Sequence, residues 1–547
     1  MSPRIMALPV PLQCLVSTFL LVLVTVTLTV PDASASELAA AAERLTDRKL
    51  KVRAAAINQI IETEDEASLA LLRGLLEARI YYRKADKRLV FARKDGSSFD
   101  TVDVFSGESL GKVRKRALKK VGINNRIRRV LRAAIARAEL VDRDVAVRLR
   151  AIATLAKGAG AENIKMLRER LPAETDEGAR GAIESVLALA DVRSEDSAVR
   201  TAAITRLGES TEIQSGNTLK QLVEAPPDSF TAADTRLAKE ALRQFEMRAT
   251  FYGWIETLFF GLSLGSVLAL AAIGLAITFG VMGVINMAHG ELMMLGAYTT
   301  YVVQTAFPNW IGASLLIATP AAFLVSALFG VLIERGVIRF LYGRPLETLL
   351  ATFGISLILQ QLVRTVFSPL NRAVQTPEWM SGSLEVNAML SLTYNRLYIV
   401  VFTILVFLAL MCVMKSTALG LQVRAVAQNR RMARALGVRS ARVDMMTFAL
   451  GSGIAGVAGV ALSQLTNVGP NLGQAYIVDS FLVVVFGGVG NLWGTLVSGL
   501  SLGVANKLME PWAGAVLAKV IVLVAIILFI QRNPRGLFPQ RGRAAEE

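Results

Sequence analysis

The chain has 547 residues, 53% of them hydrophobic, with a mean hydropathy of +0.47 and a formal charge of +16. That average is too apolar for a single water-soluble globule, and two cysteines exclude a disulfide framework. Lysine plus arginine and aspartate plus glutamate number 40 and 32 between Ser36 and Thr250, but only 19 and 11 from Phe251 onward. The basic residues of the first part are interleaved with acids along helical stretches. This reads as a solvated helix surface and argues against nucleic-acid binding.

The N-terminus reads as an address. Arg4 precedes an apolar run from Leu12 to Val30, and Ala33-Ser34-Ala35 places small residues where signal peptidase accepts them. A cleaved signal peptide over 1–35 is the expectation, with a retained anchor helix as its rival. Either places the region after it outside the cytoplasm.

Residues 36–248 are predicted to form an α-helical, HEAT-like repeat domain. Val-Arg-x-x-Ala-Ile recurs at 52–57, 147–152 and 199–204, with the Val, Ala and Ile on one helix face and the Arg directed sideways. The helical period fails between Ile80 and Gly111. Two β-like runs, Arg88–Ala92 and Phe99–Phe105, flank Asp95-Gly96, so a small β-hairpin insertion is expected. Gly107 to Lys112 has the outline of a phosphate loop, but three residues separate its glycines and Val113 replaces the metal-binding hydroxyl.

Eight apolar segments follow, at 255–281, 287–307, 311–333, 346–367, 397–414, 444–466, 477–509 and 513–531. The loop 415–443 carries seven basic residues and no acid, and Arg335, Arg339 and Arg344 mark another cytoplasmic loop. Simple parity would leave the C-terminus outside, against Arg532, Arg535, Arg541 and Arg543. Breaking the seventh segment at Gly487-Gly488-Val489-Gly490-Asn491 restores a cytoplasmic C-terminus. A glycine-broken segment at membrane depth belongs where protein or a water-filled cavity surrounds it. The overall expectation is an all-α chain whose region 251–540 is a polytopic membrane domain.

Two segments share a pattern. Phe279 and Gly280 are followed by Asn286, His289 and Glu291; Phe486 and Gly487 are followed by Gly488, Gly490 and Asn491. Paired glycine interruptions are the best sequence pointer to a transporter's solute pathway, and these residues are its candidates. His289 alone cannot build a metal site, and helix packing accounts for it as well as solute contact does. Asp479 and Glu291 are acids in or beside apolar segments, with Lys507 and Lys519 as possible counterions. Gly451-Ser-Gly453-Ile-Ala-Gly456 has dinucleotide-loop spacing inside a membrane segment, where close packing of small residues explains it.

Phe279-Gly-Val-Met-Gly-Val-Ile-Asn-Met-Ala-His-Gly-Glu291, Ala435-Leu-Gly437, Gly469-Pro470, Phe486–Gly494 and Arg535-Gly-Leu-Phe538, in this order, resemble the branched-chain amino acid type permeases of ABC importers. The added N-terminal region and Pro470-Asn-Leu-Gly-Gln474 are similar to the urea-transporting branch of that family. The resemblance implies ATP-driven uptake, most directly of urea, in a bacterial inner membrane. Its partners would be a second homologous permease subunit, two cytoplasmic ATPase subunits holding the ATP and Mg, and an extracytoplasmic solute-binding protein. No cofactor is expected on this chain. The resemblance also implies that Arg430, Arg431, Met432, Arg434, Ala435, Leu436 and Gly437 form the coupling element for the ATPase, although the wider family's glutamate is missing there. Alternatives are an amino acid permease of the same family, a passive channel and, last, a membrane enzyme.

Overall fold

The computed structural model describes residues 33–538 except 48, 64–65, 96–97 and 158–159. The expected leader therefore lies almost wholly outside the described residues, as do Cys14, Gly96, Arg541 and Arg543. The chain divides into two compact units, residues 1–245 and 246–547.

The first unit is helical around one sheet. Helices α1 (Ala33–Glu43), α2 (Leu50–Glu62) and α3 (Glu66–Leu76) precede the strands. Helices α4 (Asn125–Glu139), α5 (Val145–Lys157), α6 (Ala161–Arg170), α7 (Glu177–Asp191), α8 (Ser197–Glu209) and α9 (Ile213–Glu224) follow them. Ile57, Ile60, Leu71, Leu75 and Leu131 bury the faces that the first helices share, and Ile152, Leu155, Ile183 and Leu187 do the same further along.

The insertion is larger than a hairpin. β1 (Ile80–Arg83), β2 (Leu89–Asp95), β3 (Ser98–Asp103), β4 (Ser109–Arg114) and β5 (Leu118–Lys120) form an antiparallel sheet in the order β4-β3-β2-β1-β5. β2 and β3 are the two runs visible in the sequence. β1 and β5 have only four and three residues, too few to show a period of two.

In the second and third repeats the Arg does not point sideways; it turns inward. Arg148 and Arg200 are 6% and 3% exposed, so the burial is nearly complete. Arg148 donates to both Glu174 carboxylate oxygens, 3.0 and 2.9 Å, and to the Asp142 carbonyl, 2.9 Å. Arg200 donates to Asp234, 2.8 Å, and to the Ser194 carbonyl, 2.9 Å, while Arg53 reaches the Asp47 carbonyl at 2.5 Å. In all three stretches the accepting carbonyl lies six residues earlier. The side chain of that same residue accepts from the backbone two residues on: Asp47 from Lys49, Asp142 from Asp144, Ser194 from Asp196. The shared letters therefore encode a shared turn, with the guanidinium as its strut.

Helix α10 (Ala232–Met282) runs into the second unit. There follow α11 (His289–Ala306), α12 (Ser314–Gly336), α13 (Pro345–Phe367), β6 (Ser383–Asn387), β7 (Leu390–Thr393) and α14 (Tyr394–Ser416). The unit ends with α15 (Ala418–Gln428), α16 (Arg430–Ala435), α17 (Ser440–Ser463), α18 (Leu472–Gly487) and α19 (Leu492–Arg532). Among the described residues six helices are long and apolar enough to cross a membrane: α10, α13, α14, α17, α19 and α12 with its preceding turn. Helix α18 is shorter, and α11 is not among the six. The β6–β7 hairpin lies in the connection between α13 and α14, with polar and apolar residues alternating along both strands.

α10 and α17 are sheathed by protein along most of their apolar length, whereas α12, α13, α14 and α19 leave most of theirs open. On α12, Leu316, Leu324, Leu328 and Leu332 are exposed while Ala318, Ala322, Ser326 and Gly330 are buried. The small stripe packs on α17: a Cβ on Gly456 would meet Ser326 and the Ala322 carbonyl, and one on Gly330 would meet Ser452. The glycines of 451–456 thus serve helix contact.

Removing one partner of a buried ion pair costs about 3–5 kcal/mol. Arg148→Ala should therefore destabilise the first unit by an amount in that range, measured by guanidinium unfolding of the full chain in detergent. The double replacement Arg148→Met with Glu174→Leu should cost less, since no uncompensated charge remains. Burial pushes the Glu174 carboxyl up, but hydrogen bonds from Arg148 and the Asp176 backbone, with the charges of Arg148 and Arg170, hold it below its ordinary value. Its contribution is complete above the ordinary glutamate value of about 4.3 and is lost as pH falls through the lower folded value. Acid melting curves should be shallower in Glu174→Gln than in the wild type.

Candidate functional site

Helix α10 stops at Met282 because Gly283 adopts φ +69°, and the chain is non-helical until His289 opens α11. Non-helical backbone among membrane helices needs local hydrogen-bond partners. The Met287 N–H donates to Thr352 Oγ1 on α13, 3.1 Å, and the Asn286 side chain accepts from the Ala288 N–H, 3.0 Å. His289 is fully buried, with Nε2 2.9 Å from the Ala271 carbonyl. A carbonyl only accepts, so Nε2 carries the proton and Nδ1 is an acceptor without a partner among the described residues.

Glu291 is 1% exposed, which makes its partners decisive. One carboxylate oxygen accepts from Ser356 Oγ at 2.6 Å and Gln360 Nε2 at 2.5 Å. The other has no hydrogen-bond partner among the described residues and lies against Gly473. Thr348, Thr352, Ser356 and Gln360 recur every fourth residue and are all buried, while Leu350, Ile358 and Leu362 on the other side of α13 are exposed. α13 is therefore polar inward and apolar outward, a stripe that the sequence carries as a four-residue period outside any recognised motif. Gly290 and Gly473 cross backbone to backbone: a Cβ on either would lie 2.4 Å from the carbonyl oxygen of the other.

Phe486 to Asn491 belong to a different place. Gly280 does meet this segment, since its Cβ would lie 2.6 Å from Gly490 Cα, and Phe279 packs on Phe481 with ring centroids 6.2 Å apart. Asn286, His289 and Glu291 instead meet Ala271, α13 and the start of α18. The break between α18 and α19 is a tight turn, with Gly488 at φ +98° and Gly490 at +81°. The tail closes over it. Leu537 N–H donates to the Phe486 carbonyl, 2.9 Å, Phe538 N–H to the Gly487 carbonyl, 3.2 Å, and Asn491 Nδ2 to the Phe538 carbonyl, 3.2 Å. Asn491 also caps α19 by accepting from the Gly494 N–H, 3.1 Å. One pattern in the sequence thus becomes two sites in the fold.

The basic loop forms α15 and the short α16. Asn429 caps α16 by accepting from the Met432 N–H, 2.9 Å, and Gly437 at φ +84° ends it. Arg430, the first residue of the implied coupling element, is tied back to the bundle. It chelates Asp444 at 2.7 and 2.9 Å and lies 4.3 Å over the Tyr342 ring, because Asp444 supplies the acid that the loop itself lacks. Arg434 donates to Ser440 Oγ, 2.7 Å. Arg431, Met432, Ala435 and Leu436 are exposed, Leu436 at 78%.

Gly290→Ala and Gly473→Ala should each lower the thermal midpoint of the detergent-purified chain by forcing the α11 and α18 starts apart. Gly354→Ala, with open space around its Cβ position, should leave it unchanged or slightly raised.

Comparison with known proteins bears on this bundle. The profile of the family described as the branched-chain amino acid transport system / permease component matches residues 257–531. The permease protein LivH of a high-affinity branched-chain amino acid transport system of Salmonella typhimurium is 32% identical over 306 residues, 53% of this chain and 97% of that protein. BraD of Pseudomonas aeruginosa, similarly described, is 31% identical over 295 residues, 52% and 96% of the two chains. The ribose import permease protein RbsC of Escherichia coli is 25% identical over 284 residues, 50% and 84%. No solved structure matches. The match takes in the polar interior of α11 and α13, the α18–α19 turn and the exposed α16. This multi-pass membrane chain belongs to the family of permease components of branched-chain amino acid ABC transport systems.

Proposed function

We propose that this chain is one transmembrane subunit of an ATP-driven importer whose solute is a branched-chain amino acid or an amino acid of similar size. The observation that carries this reading is the family match over 257–531, which coincides with a helical bundle that is polar inside and apolar outside. The relatives named for branched-chain amino acid transport align over nearly their whole length. They favour this substrate over urea.

Urea is the second reading. It rests on residues 36–248, a helical region that precedes the matched segment, and on the wording of Asn286 to Gly290 and Pro470 to Gln474. In either case the cycle needs partners: a second permease subunit, two cytoplasmic ATPases holding ATP and Mg, and an extracytoplasmic binding protein. The repeat-like region 36–248 would lie outside and dock that protein. Residues 415–443 and the C-terminus would lie in the cytoplasm, as their arginines require in an inner membrane.

Transmission from the ATPases is assigned to α16. A six-residue helix held at one end by the Arg430–Asp444 pair offers Met432 and Leu436 to an apolar groove on a partner. Asn286, His289 and Glu291, at the junction of α10 and α11 and backed by Thr352, Ser356 and Gln360 of α13, form the hinge on which solute access turns.

Proteoliposomes holding the complete transporter should take up radiolabelled leucine only with ATP, and excess unlabelled urea should not compete. Uptake persisting without the ATPases would identify a passive channel, and uptake of urea in place of leucine would establish the second reading. Met432→Asp with Leu436→Asp should abolish uptake, while co-purification of the ATPases falls and folding of the permease is retained.

A further inference from the structure

A polar cluster outside the Glu291 region stands in the membrane bundle without an assigned role. Asp479 is on α18, and Asn506 and Lys519 are on α19, whose two limbs meet at Pro511 and Gly514. The Lys519 ammonium lies 3.3 Å from Asp479 Oδ2. Asn506 Oδ1 is buried and has no hydrogen-bond partner among the described residues. Together with Leu268, Leu502 and Val522 they line a cavity of about 10 Å³, room for one water.

The depth matters. Asn506 lies about 21 Å along α19 from Leu492, and Lys519 about 7.5 Å past Gly514, at 1.5 Å rise per residue. Both therefore fall within a hydrocarbon layer of about 30 Å. The Lys519 side chain is 55% exposed in the single chain. Its neighbours Val516, Val520, Val524 and Leu528 are exposed as well. An ammonium inside a membrane faces protein or water rather than lipid. The face carrying Lys519 is thus one that protein or water, rather than lipid, covers in the assembled transporter.

We propose that Asp479, Lys519 and Asn506 form a recognition site for the zwitterionic head of an α-amino acid on the translocation pathway. This rests on the amino acid reading above. The solute presents a carboxylate and an ammonium on one carbon, complementary to the separated partners of the ion pair. Lys519 takes the carboxylate, Asp479 the ammonium, and Asn506 Oδ1 accepts a further ammonium hydrogen. Leu268, Leu502 and Val522 offer an apolar wall to a branched side chain. With room for one water, the site is shut in this structure, and the Asp479–Lys519 pair parts as solute enters. A neutral solute offers no charges to exchange for the pair.

The test is ATP-driven leucine uptake by the complete transporter in proteoliposomes. Asp479→Asn and Lys519→Gln should each raise the KM for leucine about tenfold or more, as loss of a charge-assisted contact does. The double exchange Asp479→Lys with Lys519→Asp rebuilds the ion pair in reverse. It should restore the melting temperature lost in the single variants without restoring uptake. Recovery of leucine KM in that double variant would reduce the pair to a structural bridge and overturn the proposal. Single variants with unchanged KM would overturn it alone and leave the importer reading standing. Wild-type uptake of urea without leucine would overturn both.

Discussion

Helices in lipid gain nothing from the hydrophobic effect when they associate, because the tails around them are as apolar as leucine. Contact has to come from closeness, and in this bundle it comes from backbone touching backbone. Gly290 crosses Gly473, Gly296 lies on the Gly456 carbonyl, Gly459 on Met293, and Gly503 on Gly265. These positions tolerate no side chain. Everything else in the second unit depends on them, since they set where α11 meets α17 and α18, and where α10 meets α19, and so where the non-helical stretch 283–288 is held.

That closeness also explains why polar groups can be kept inside. Glu291 receives two hydrogen bonds from α13 on one oxygen, while the Gly290–Gly473 crossing brings α18 against its other oxygen. The two units handle buried charge differently. In the first, Arg148 and Arg200 meet carboxylates and backbone carbonyls, so each ion is paired and fully hydrogen-bonded. Around Glu291 the donors are neutral. A paired ion stiffens a turn, whereas a carboxylate with one oxygen unengaged leaves chemistry available.

Much of this was legible in the residues. Long apolar runs announced the bundle, glycine at 487–490 announced a break, and the repeated Val-Arg-x-x-Ala-Ile announced a recurring unit. What those signals could not convey was direction. An arginine reads as a surface residue unless its carboxylate is known, and Glu174 and Asp234 lie 26 and 34 residues away from theirs. The likeness between 279–291 and 486–491 was genuine in wording, yet the fold brings Gly280 to the second segment and takes Asn286, His289 and Glu291 elsewhere. The polar stripe of α13 was visible as a four-residue period. None of its members belongs to a recognised motif, so nothing in the wording ties them to Glu291. Strands of three or four residues, such as β1 and β5, are below the length at which alternation can be seen.

The tail over the α18–α19 turn has a consequence for how the chain is made. Phe486 and Gly487 expose carbonyls whose donors, Leu537 and Phe538, come after the whole of α19, and Asn491 waits 47 residues for its acceptor. During synthesis the last helical hairpin therefore enters the bilayer with its turn unsealed. Synthesis of the segment after α19, rather than of α19 itself, completes this end of the bundle. A nascent chain stalled before Leu537 would carry every helix of the permease and still lack its final seam.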